Sequence, residues 1–323
     1  MKFALELDIP PLSPPVTYRD QLLLTGSCFT EHMADRLSQH RFRLMSNPHG
    51  ILFNPLSVVK SLNSYVAARA YKESELFFLN ELWNSWDHHT RFSDPDPAIV
   101  LEQINASQHA AAACIRKAGW IMITLGSAFQ YQLKESGQPV ANNHRAPAEW
   151  FIKKLLSVEE IVSAFEECIR NIRTVNPEVR FLFTISPVRH IRDGVIANNR
   201  SKARLLEAVH TLRERQPSLV YFPAYELVID ILRDYRYYDI DLVHPNYQAT
   251  QFVWEQFVKA CIEPRDRQVM ARVHDVVIAR NHKPRFPDTE AHRRFRRAYR
   301  VKVEELMKEY PFLDLQQELE YFS

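Results

Sequence analysis

Short apolar runs alternate with amphipathic stretches along most of the chain. Between the runs, apolar residues recur every three or four positions, the spacing of one helix face. Strands that alternate with helices favour a parallel sheet covered by helices on both faces. We therefore predict an α/β fold, a three-layer α/β/α arrangement around a five-stranded, doubly wound parallel sheet. The predicted strands are residues 21–25, 42–45, 120–125, 181–185 and 219–222.

Residues 71–97 break this rhythm and are predicted to be an insertion into the sheet fold. The segment contains Trp83, Trp86, His88 and His89. These side chains would either wall a substrate pocket or form a small satellite core. The connection at residues 126–157 is also long, and it is expected to emerge at the carboxyl ends of the strands, where open α/β sheets bind ligands.

The last part of the chain has a different character, because it is helical in pattern and rich in charge. Residues 1–263 are expected to form the α/β domain, and residues 264–323 a helical extension packed on it. The extension carries a basic run at residues 292–297, followed by apolar residues at helical spacing. Such a helix either packs its apolar stripe on the core or presents a basic face to a protein partner.

Composition excludes several classes of function. The chain has 323 residues, of which 46% are hydrophobic and 25% charged, the ordinary mix of a soluble globular protein. A formal charge of +2 gives no general electrostatic case for nucleic acid binding. No apolar run approaches the ~18 residues of a membrane span. The first fifteen residues carry acids and prolines where a signal peptide needs an unbroken apolar run.

The four cysteines are widely separated and form no CxxC pair. This argues against a zinc ribbon and against a dense disulfide framework, so we expect a reducing compartment, the cytoplasm. No cofactor and no metal are expected. Asp87, His88 and His89 are consecutive, so they cannot all converge with Asp239 on one ion. No oligomeric state follows from the sequence.

A candidate nucleophile, Ser27, follows the first predicted strand directly after Gly26. This turn places a side chain at the carboxyl edge of the sheet and at the N-terminus of a helix. Free backbone N–H groups and the helix dipole would stabilise an anion there. Two alternatives remain. Ser27 could only cap the helix, or the neighbouring Cys28 could react instead, although a packing role is commoner for such a cysteine.

A candidate base, His244, lies in a loop after the last predicted strand, three residues after Asp241. At that spacing the carboxylate can accept a hydrogen bond from imidazole Nδ1–H, which leaves Nε2 free to take a proton from serine. The alternative is an Asp–His pair that only holds its loop together. A catalytic role is favoured because Ser27 and His244 follow strands of one sheet and therefore share its carboxyl edge.

Six short motifs, taken together, are specific: Gly26-Ser27-Cys28-Phe29, Asn47-Pro48-x-Gly50-x-Leu52-x-Asn54-Pro55, Thr124-Leu125-Gly126, Asn142-x-His144, Ser186-Pro187-Val188-Arg189-His190 and Asp241-x-x-His244-Pro245. They resemble the GSCFA family, itself similar to the SGNH/GDSL hydrolase superfamily, and the resemblance covers most of the chain. It implies an SGNH- or flavodoxin-like fold. The chain departs from the family pattern at Thr30, in place of alanine, and at Asn143, where cysteine is expected.

The resemblance implies Ser27 as nucleophile, His244 as base and Asp241 as the residue that orients it. In SGNH enzymes the oxyanion hole combines the N–H of the serine, a glycine N–H after the second strand and an asparagine side chain after the third. Gly50 matches the glycine by position. Ala128 stands where the asparagine is expected, and the loss of one oxyanion donor typically costs ~10²–10³-fold in rate.

Asn142 or Asn54 could supply the missing donor, or each could serve only in forming its turn. Arg189 could bind a carboxylate or phosphate of the substrate, or pair with a structural acid. The histidines beside the predicted edge loops could bind substrate or hold a loop by one hydrogen bond. The predicted substrate-binding residues are Gly126, His144, Arg189 and His190.

The leading prediction is a serine hydrolase, an esterase or acyl transferase that acts on a small-molecule or carbohydrate ester through an acyl-enzyme. The acyl group could be acetyl, and the carbohydrate comes from the superfamily resemblance. The alternative is a non-catalytic carbohydrate- or ligand-binding module that retains the fold, motivated by Ala128. A third alternative is a protein-interaction role through the basic helix of the extension.

Overall fold

The computed structural model describes residues 5–323 and confirms the predicted three-layer α/β/α fold. The first four residues, part of the segment predicted to lack a signal peptide, lie outside the described residues. The described chain contains ten strands: β1 (Leu22–Gly26), β2 (Leu44–Ser46), β3 (Leu76–Leu79), β4 (Leu82–Ser85), β5 (Trp120–Leu125), β6 (Phe129–Leu133), β7 (Pro139–Val140), β8 (Phe151–Leu155), β9 (Arg180–Ile185) and β10 (Val220–Tyr221).

The helices account for most of the remaining regular structure. Several begin at a capping residue. Ser157 caps α4 (Val158–Val175) and forms a capping box with Glu160, as the spacing of the two residues predicts. The helices are α1 (Cys28–Gln39), α2 (Pro55–Val66), α3 (Pro97–Ile115), α4 (Val158–Val175), α5 (Gly194–Arg215), α6 (Ala224–Glu226), α7 (Tyr247–Cys261), α8 (Pro264–Asn281), α9 (Glu290–Glu309) and α10 (Gln316–Phe322).

The central sheet has the order β10-β9-β5-β1-β2, and every pair in it is parallel. The chain starts at β1, adds β2 on one side, and then continues on the other side with β5, β9 and β10. The direction of winding therefore reverses between β1 and β5. In open α/β sheets the ligand-binding crevice lies at such a switch point, outside the carboxyl ends of the strands.

Alternate residues of β1 face different layers. Leu22 and Leu24 belong to a buried cluster with side chains of α1, α7 and α8, whereas Leu23 belongs to a second cluster with α2, α3, α4 and α5. This alternation follows from the period of two along a strand. The helices therefore cover both faces of the sheet, as predicted.

The helices after Pro264 contribute to the first of these clusters. Val276, Val303 and Phe322 are buried in it together with Leu22 and Leu24. On α10, Glu318 is also buried, and its carboxylate binds the guanidinium groups of Arg41 and Arg280. The apolar stripes of these helices thus pack on the face of the sheet that carries Leu22 and Leu24.

The two irregular segments form small sheets outside the central one. Residues of the predicted insertion make the antiparallel hairpin β3–β4. The connection at residues 126–157, for which no strands were predicted, folds as an antiparallel sheet of order β7-β6-β8. The missed signal was the alternation of apolar and polar residues in FQYQL, residues 129–133, which is typical of a half-buried strand.

Candidate functional site

The turn from β1 into α1 is held tightly against the end of β5. Gly26 has φ +143°, and a side chain there would place its Cβ 2.2 Å from the carbonyl oxygen of Thr124. Only glycine fits this backbone conformation and this close approach. The N–H of Gly26 also donates to Oδ1 of Asn47 at 2.9 Å. The turn is therefore fixed from both neighbouring segments, and the next residue, Ser27, is placed at the switch point.

Ser27 occupies the N-cap position of α1, but its side chain makes no capping hydrogen bond. The residue is 2% exposed, and its Oγ has no hydrogen-bond partner within residues 5–323. A buried hydroxyl normally finds a partner, since an unpaired one costs free energy. The capping alternative for Ser27 thus does not account for its hydroxyl.

Gly126 packs closely against Ser27, His190 and Phe53. A Cβ placed on Gly126 would lie 3.2 Å from Cβ of Ser27, 3.3 Å from Nε2 of His190 and 2.9 Å from Cβ of Phe53. The absence of a side chain on Gly126 allows this close packing. Of the four predicted substrate-binding residues, Gly126 and His190 therefore lie beside Ser27, and Phe53 lies with them although no sequence pattern singles it out.

His190 is held as a neutral imidazole. Burial, followed by the nearby charge of Lys202, lowers the pKa of His190 to about 4. Its Nε2 is buried and has no hydrogen-bond partner in the described chain. A neutral imidazole with a free nitrogen beside Ser27 could accept a proton or bind a substrate hydroxyl.

A buried lysine, Lys202, binds the backbone of Gly126. Its Nζ donates to the carbonyl oxygens of Gly126 at 2.7 Å and of Ser186 at 2.6 Å. Gly126 and Ser186 directly follow β5 and β9, so the lysine joins the carboxyl ends of the two strands. Its side chain is 1% exposed, and burial lowers its pKa from 10.5 to about 7.

The sequence did contain a signal for Lys202. It lies three residues before Leu205 and seven before Val209, on the buried stripe of α5. A lysine at a position reserved for apolar residues is unusual, because burying a charge is costly unless the group is paired or neutralised.

Replacing Lys202 with methionine is expected to make the slope of stability against pH less positive in alkaline solution. Below about pH 7 the amine is protonated in both states, and above its ordinary pKa of 10.5 it is neutral in both. Between these values the unfolded chain holds a proton that the folded chain has released, so the contribution of Lys202 to wild-type stability rises with pH through this window. Urea unfolding midpoints across this window measure the slope. Lys134→Met, at an exposed position, should keep the wild-type slope, and an equal slope in Lys202→Met would contradict the assignment.

Asp241 and His244 form the hydrogen-bonded pair predicted from their spacing. Nδ1 of His244 lies 2.6 Å from Oδ2 of Asp241, and the other carboxylate oxygen accepts from the N–H groups of Val243 and His244. These bonds, above all the one to the imidazole, lower the pKa of Asp241 to about 2. The carboxylate is therefore ionised at any physiological pH and fixes the orientation of the imidazole.

Asp241 and His244 make no hydrogen bond with Ser27. The His244 and Asp241 side chains are 43% and 46% exposed, and Oγ of Ser27 has no hydrogen bond to any described residue. His244 is close enough to His190 that a charge on His244 lowers the pKa of that buried ring. The loop that carries His244 bonds to the segment after β9 and therefore lies at the carboxyl edge of the sheet, while contact between Ser27 and His244 stays a prediction.

Arg189 holds that loop. Its backbone N–H donates to the carbonyl of Val243 at 3.2 Å, and its guanidinium lies over the rings of Tyr235 and Tyr238. Arg189 therefore has structural partners. They are aromatic rings, whereas the sequence led us to expect an acidic side chain.

The donors expected for an oxyanion hole are already engaged. The N–H of Ser27 donates to Thr124 at 3.1 Å, and the N–H of Gly50 donates to Asn47 at 2.7 Å. The Asn54 side chain caps α2, accepting from the N–H of Ser57 and donating to its hydroxyl. The Gly50 N–H is thus bonded within its own turn, and the Asn54 side chain has the turn-forming role that was its alternative. The part of either residue in an oxyanion hole stays a prediction.

Asn142 and His144 lie in the connection at residues 126–157, and His144 packs against the insertion. Asn142 accepts from the N–H of His144 in a local turn. His144 is 5% exposed, its Nε2 bonds to the carbonyl of Ser85, and its ring meets Phe77 and Trp86 edge-on. His144 thus holds a loop by one hydrogen bond, the second of its two expected roles, and its binding of substrate stays a prediction.

Cys28 is poorly suited to replace Ser27 as nucleophile. Burial raises the pKa of its thiol, and the neighbouring backbone N–H groups offset this only in part. The thiolate is the reactive form of cysteine, so a raised pKa reduces reactivity.

The aromatic residues of the insertion form small cores of their own. Trp86 stacks on Phe77 with ring centroids 3.6 Å apart, and it packs with Val140 and Phe151. Trp83 packs against a second small cluster. Within residues 5–323, no group of three His, Cys, Asp or Glu side chains is placed to hold a metal ion. Across the same residues, no helix has the length and apolar character needed to cross a bilayer.

Comparison with known proteins adds two family matches. The model described as the GSCFA family matches residues 21–257, and that of the GSCFA domain protein, C-terminal domain, matches residues 273–323. No curated protein matches the chain.

The solved structures that are similar to the chain include two esterases. An acetyl xylan esterase from the rumen bacterium Butyrivibrio proteoclasticus is 11% identical with a TM-score of 0.37, over 79% of this chain and 66% of that chain. A carbohydrate esterase family 3 structure from Talaromyces cellulolyticus is 12% identical with a TM-score of 0.33, over 78% of this chain and 98% of that chain. The chain thus spans slightly less than two thirds of the first structure.

Proposed function

This chain belongs to the GSCFA family, and on that premise we propose that it is a serine esterase or acyl transferase with Ser27 as nucleophile. The observation that carries the proposal is the state of Ser27: a buried hydroxyl without a hydrogen bond, at the N-terminus of α1 and at the switch point of the sheet. The oriented Asp241–His244 pair at the same edge supports it.

In the proposed reaction, Oγ of Ser27 attacks the ester carbonyl while Nε2 of His244 takes the hydroxyl proton. The C–O bond of the ester then breaks, and the departing alcohol takes the proton from the imidazolium. Water or a second alcohol attacks the acyl-enzyme in the same way and restores Ser27. Asp241, ionised throughout, holds the imidazole in the tautomer that this requires. A carbohydrate ester is proposed as substrate by analogy with the SGNH/GDSL superfamily.

The experiment that tests this proposal is covalent labelling of the wild-type protein with a fluorophosphonate probe. The serine oxygen displaces fluoride and forms a P–O bond, and peptide mapping by mass spectrometry then locates the label. We expect the label on Ser27, together with hydrolysis of an activated acetyl ester. Labelling of another residue would contradict the assignment.

A second candidate function, a non-catalytic ligand-binding module, is favoured by the engaged donors at Ser27, Gly50 and Asn54. With fewer free donors, a tetrahedral oxyanion gains less stabilisation. A folded wild-type protein that neither labels nor cleaves activated esters would support this second function.

A further inference from the structure

A cavity lies between the segment that follows β9 and residues 229–238. Its volume is about 210 Å³, on the order of ten times the space that one water molecule needs. We call it the Arg189 cavity. Its lining combines charged side chains with apolar ones: Arg189, Ile229, Arg233, Asp234, Tyr235 and Tyr238.

The guanidinium of Arg189 is held by aromatic rings and has no acidic partner within the described residues. Its Cζ lies 5.4 Å from the ring centroid of Tyr235 and 4.7 Å from that of Tyr238. It also donates to the Tyr235 hydroxyl at 3.4 Å, a long bond at an exposed position. A guanidinium has five N–H donors, and one that stacks on rings keeps its edge open to an acceptor. Most donors of Arg189 are therefore open to a ligand, on a side chain that the rings already orient.

Arg233 brings a second positive charge to the same cavity. Its exposed side chain forms no hydrogen bond and no ion pair within residues 5–323. Asp234 also lines the cavity, but Arg236 neutralises it: the Asp234 carboxylate accepts from the N–H of Arg236 at 2.9 Å and lies 3.6 Å from Nε of that residue. The two guanidinium groups of the lining thus have no carboxylate of their own, which favours an anion.

Two guanidinium groups suit a phosphate better than a carboxylate. A carboxylate has two oxygens and one charge, so a single bidentate guanidinium satisfies it. A phosphate monoester has three terminal oxygens and a charge of about −1.5 to −2 at pH 7, so it can accept from both arginines at once. The tyrosine rings and Ile229 offer apolar contact to the carbon framework that bears the phosphate.

The walls of the cavity are hydrogen-bonded to the loop that carries His244. The carbonyl of Val243 accepts from the N–H of Arg189 at 3.2 Å. On the other wall, the residue after Tyr238, Asp239, donates its N–H to the carbonyl of His244 at 2.8 Å. A group bound in the cavity therefore lies beside the loop of the proposed base.

We propose that the Arg189 cavity binds a phosphate group attached to an apolar or aromatic unit. The binding does not require catalysis. If Ser27 is the nucleophile, the phosphate belongs to the substrate, and the substrate class narrows to phosphorylated esters. This second step rests on the proposed function, whereas the binding itself does not.

Calorimetric titration of the full-length protein with phenyl phosphate tests this proposal. We expect saturable binding at one site. Phenol, which lacks the charge, and benzoate, which carries one charge on two oxygens, should each bind at least about tenfold more weakly, the factor that one lost charge-assisted hydrogen bond supplies. Inorganic phosphate should also bind, but more weakly than phenyl phosphate, because it lacks the ring.

Arg189→Gln and Arg233→Gln should each lower the affinity for phenyl phosphate by at least about tenfold, since each removes a charged donor. Arg192→Gln is the matched control. It removes the same charge from an exposed arginine three residues after Arg189 and outside the lining of the cavity, and it should bind as the wild type does.

Ser27→Ala should bind phenyl phosphate normally, which separates this site from catalysis. Binding without labelling of Ser27 would support the phosphate site and contradict the proposed reaction, whereas labelling without binding would overturn this inference alone. Equal affinity for phenyl phosphate and phenol, benzoate binding as tight as that of phenyl phosphate, or an equal effect of Arg192→Gln and Arg233→Gln would each overturn it as well. The comparison of probes on the wild type stands even if an arginine variant fails to fold.

Discussion

Replacing Ser27 with alanine is expected to lower kcat/KM for an activated acetyl ester by about 10⁴-fold or more, the loss typical of a removed nucleophile. The same change should abolish fluorophosphonate labelling. Because Oγ of Ser27 makes no hydrogen bond in the folded protein, its removal leaves no partner unpaired. The free energy of unfolding should therefore stay the same or increase slightly. Initial rates of p-nitrophenyl acetate hydrolysis and urea unfolding curves measure the two effects.

Thr30 provides a matched control for this experiment. Its hydroxyl is also buried, also lacks a hydrogen-bond partner within the described residues, and lies on the same helix three residues further along. Thr30→Ala should retain labelling and activity. If Ser27→Ala were still labelled, the nucleophile would have to be another residue.

Replacing Asp241 with asparagine is expected to lower kcat by about 10³–10⁴-fold with little change in KM. An asparagine side chain no longer holds the imidazole in the tautomer that leaves Nε2 free. The charge of Asp241 does not limit the wild-type rate in mild acid, because hydrogen bonds from His244 lower its pKa to about 2. Steady-state kinetics with the same ester measure this loss.

Asp239→Asn is the control for the Asp241 variant, since Asp239 is an exposed carboxylate in the same loop. It should behave as wild type. His190→Asn distinguishes the two imidazoles near Ser27. If Asp241→Asn remained close to wild type while His190→Asn lost activity, the base would be His190, whose neutral ring already borders the nucleophile.

The central sheet was predictable because its strands are buried on both faces. Residues 120–125 read as one apolar run, and β5 is Trp120–Leu125 as predicted. Strand β6 escaped prediction because Gln130 and Gln132 interrupt its apolar residues, although Gln130 is itself buried. Alternation over five residues is a weaker signal than a continuous apolar run.

The candidate site was predictable only where neighbours in sequence form it. The Asp241–His244 bond follows from a spacing of three residues and is present in the structure. The engagement of the Gly50 N–H by Asn47 depends on the conformation of a turn, and residue types alone do not specify it. The contact of Lys202 with Gly126 joins residues far apart in the chain, so only the folded arrangement shows it.

The packing of α8, α9 and α10 on the face of the sheet that carries Leu22 and Leu24 has a consequence for folding during synthesis. Leu22 and Leu24 are made well before Val303 and Phe322, which are buried in the same cluster. Until α8, α9 and α10 have been made, the part of this face that they cover remains exposed to solvent, and an exposed apolar face invites aggregation or chaperone binding. This part of the face is therefore buried only long after Ser27, the proposed nucleophile, has been made.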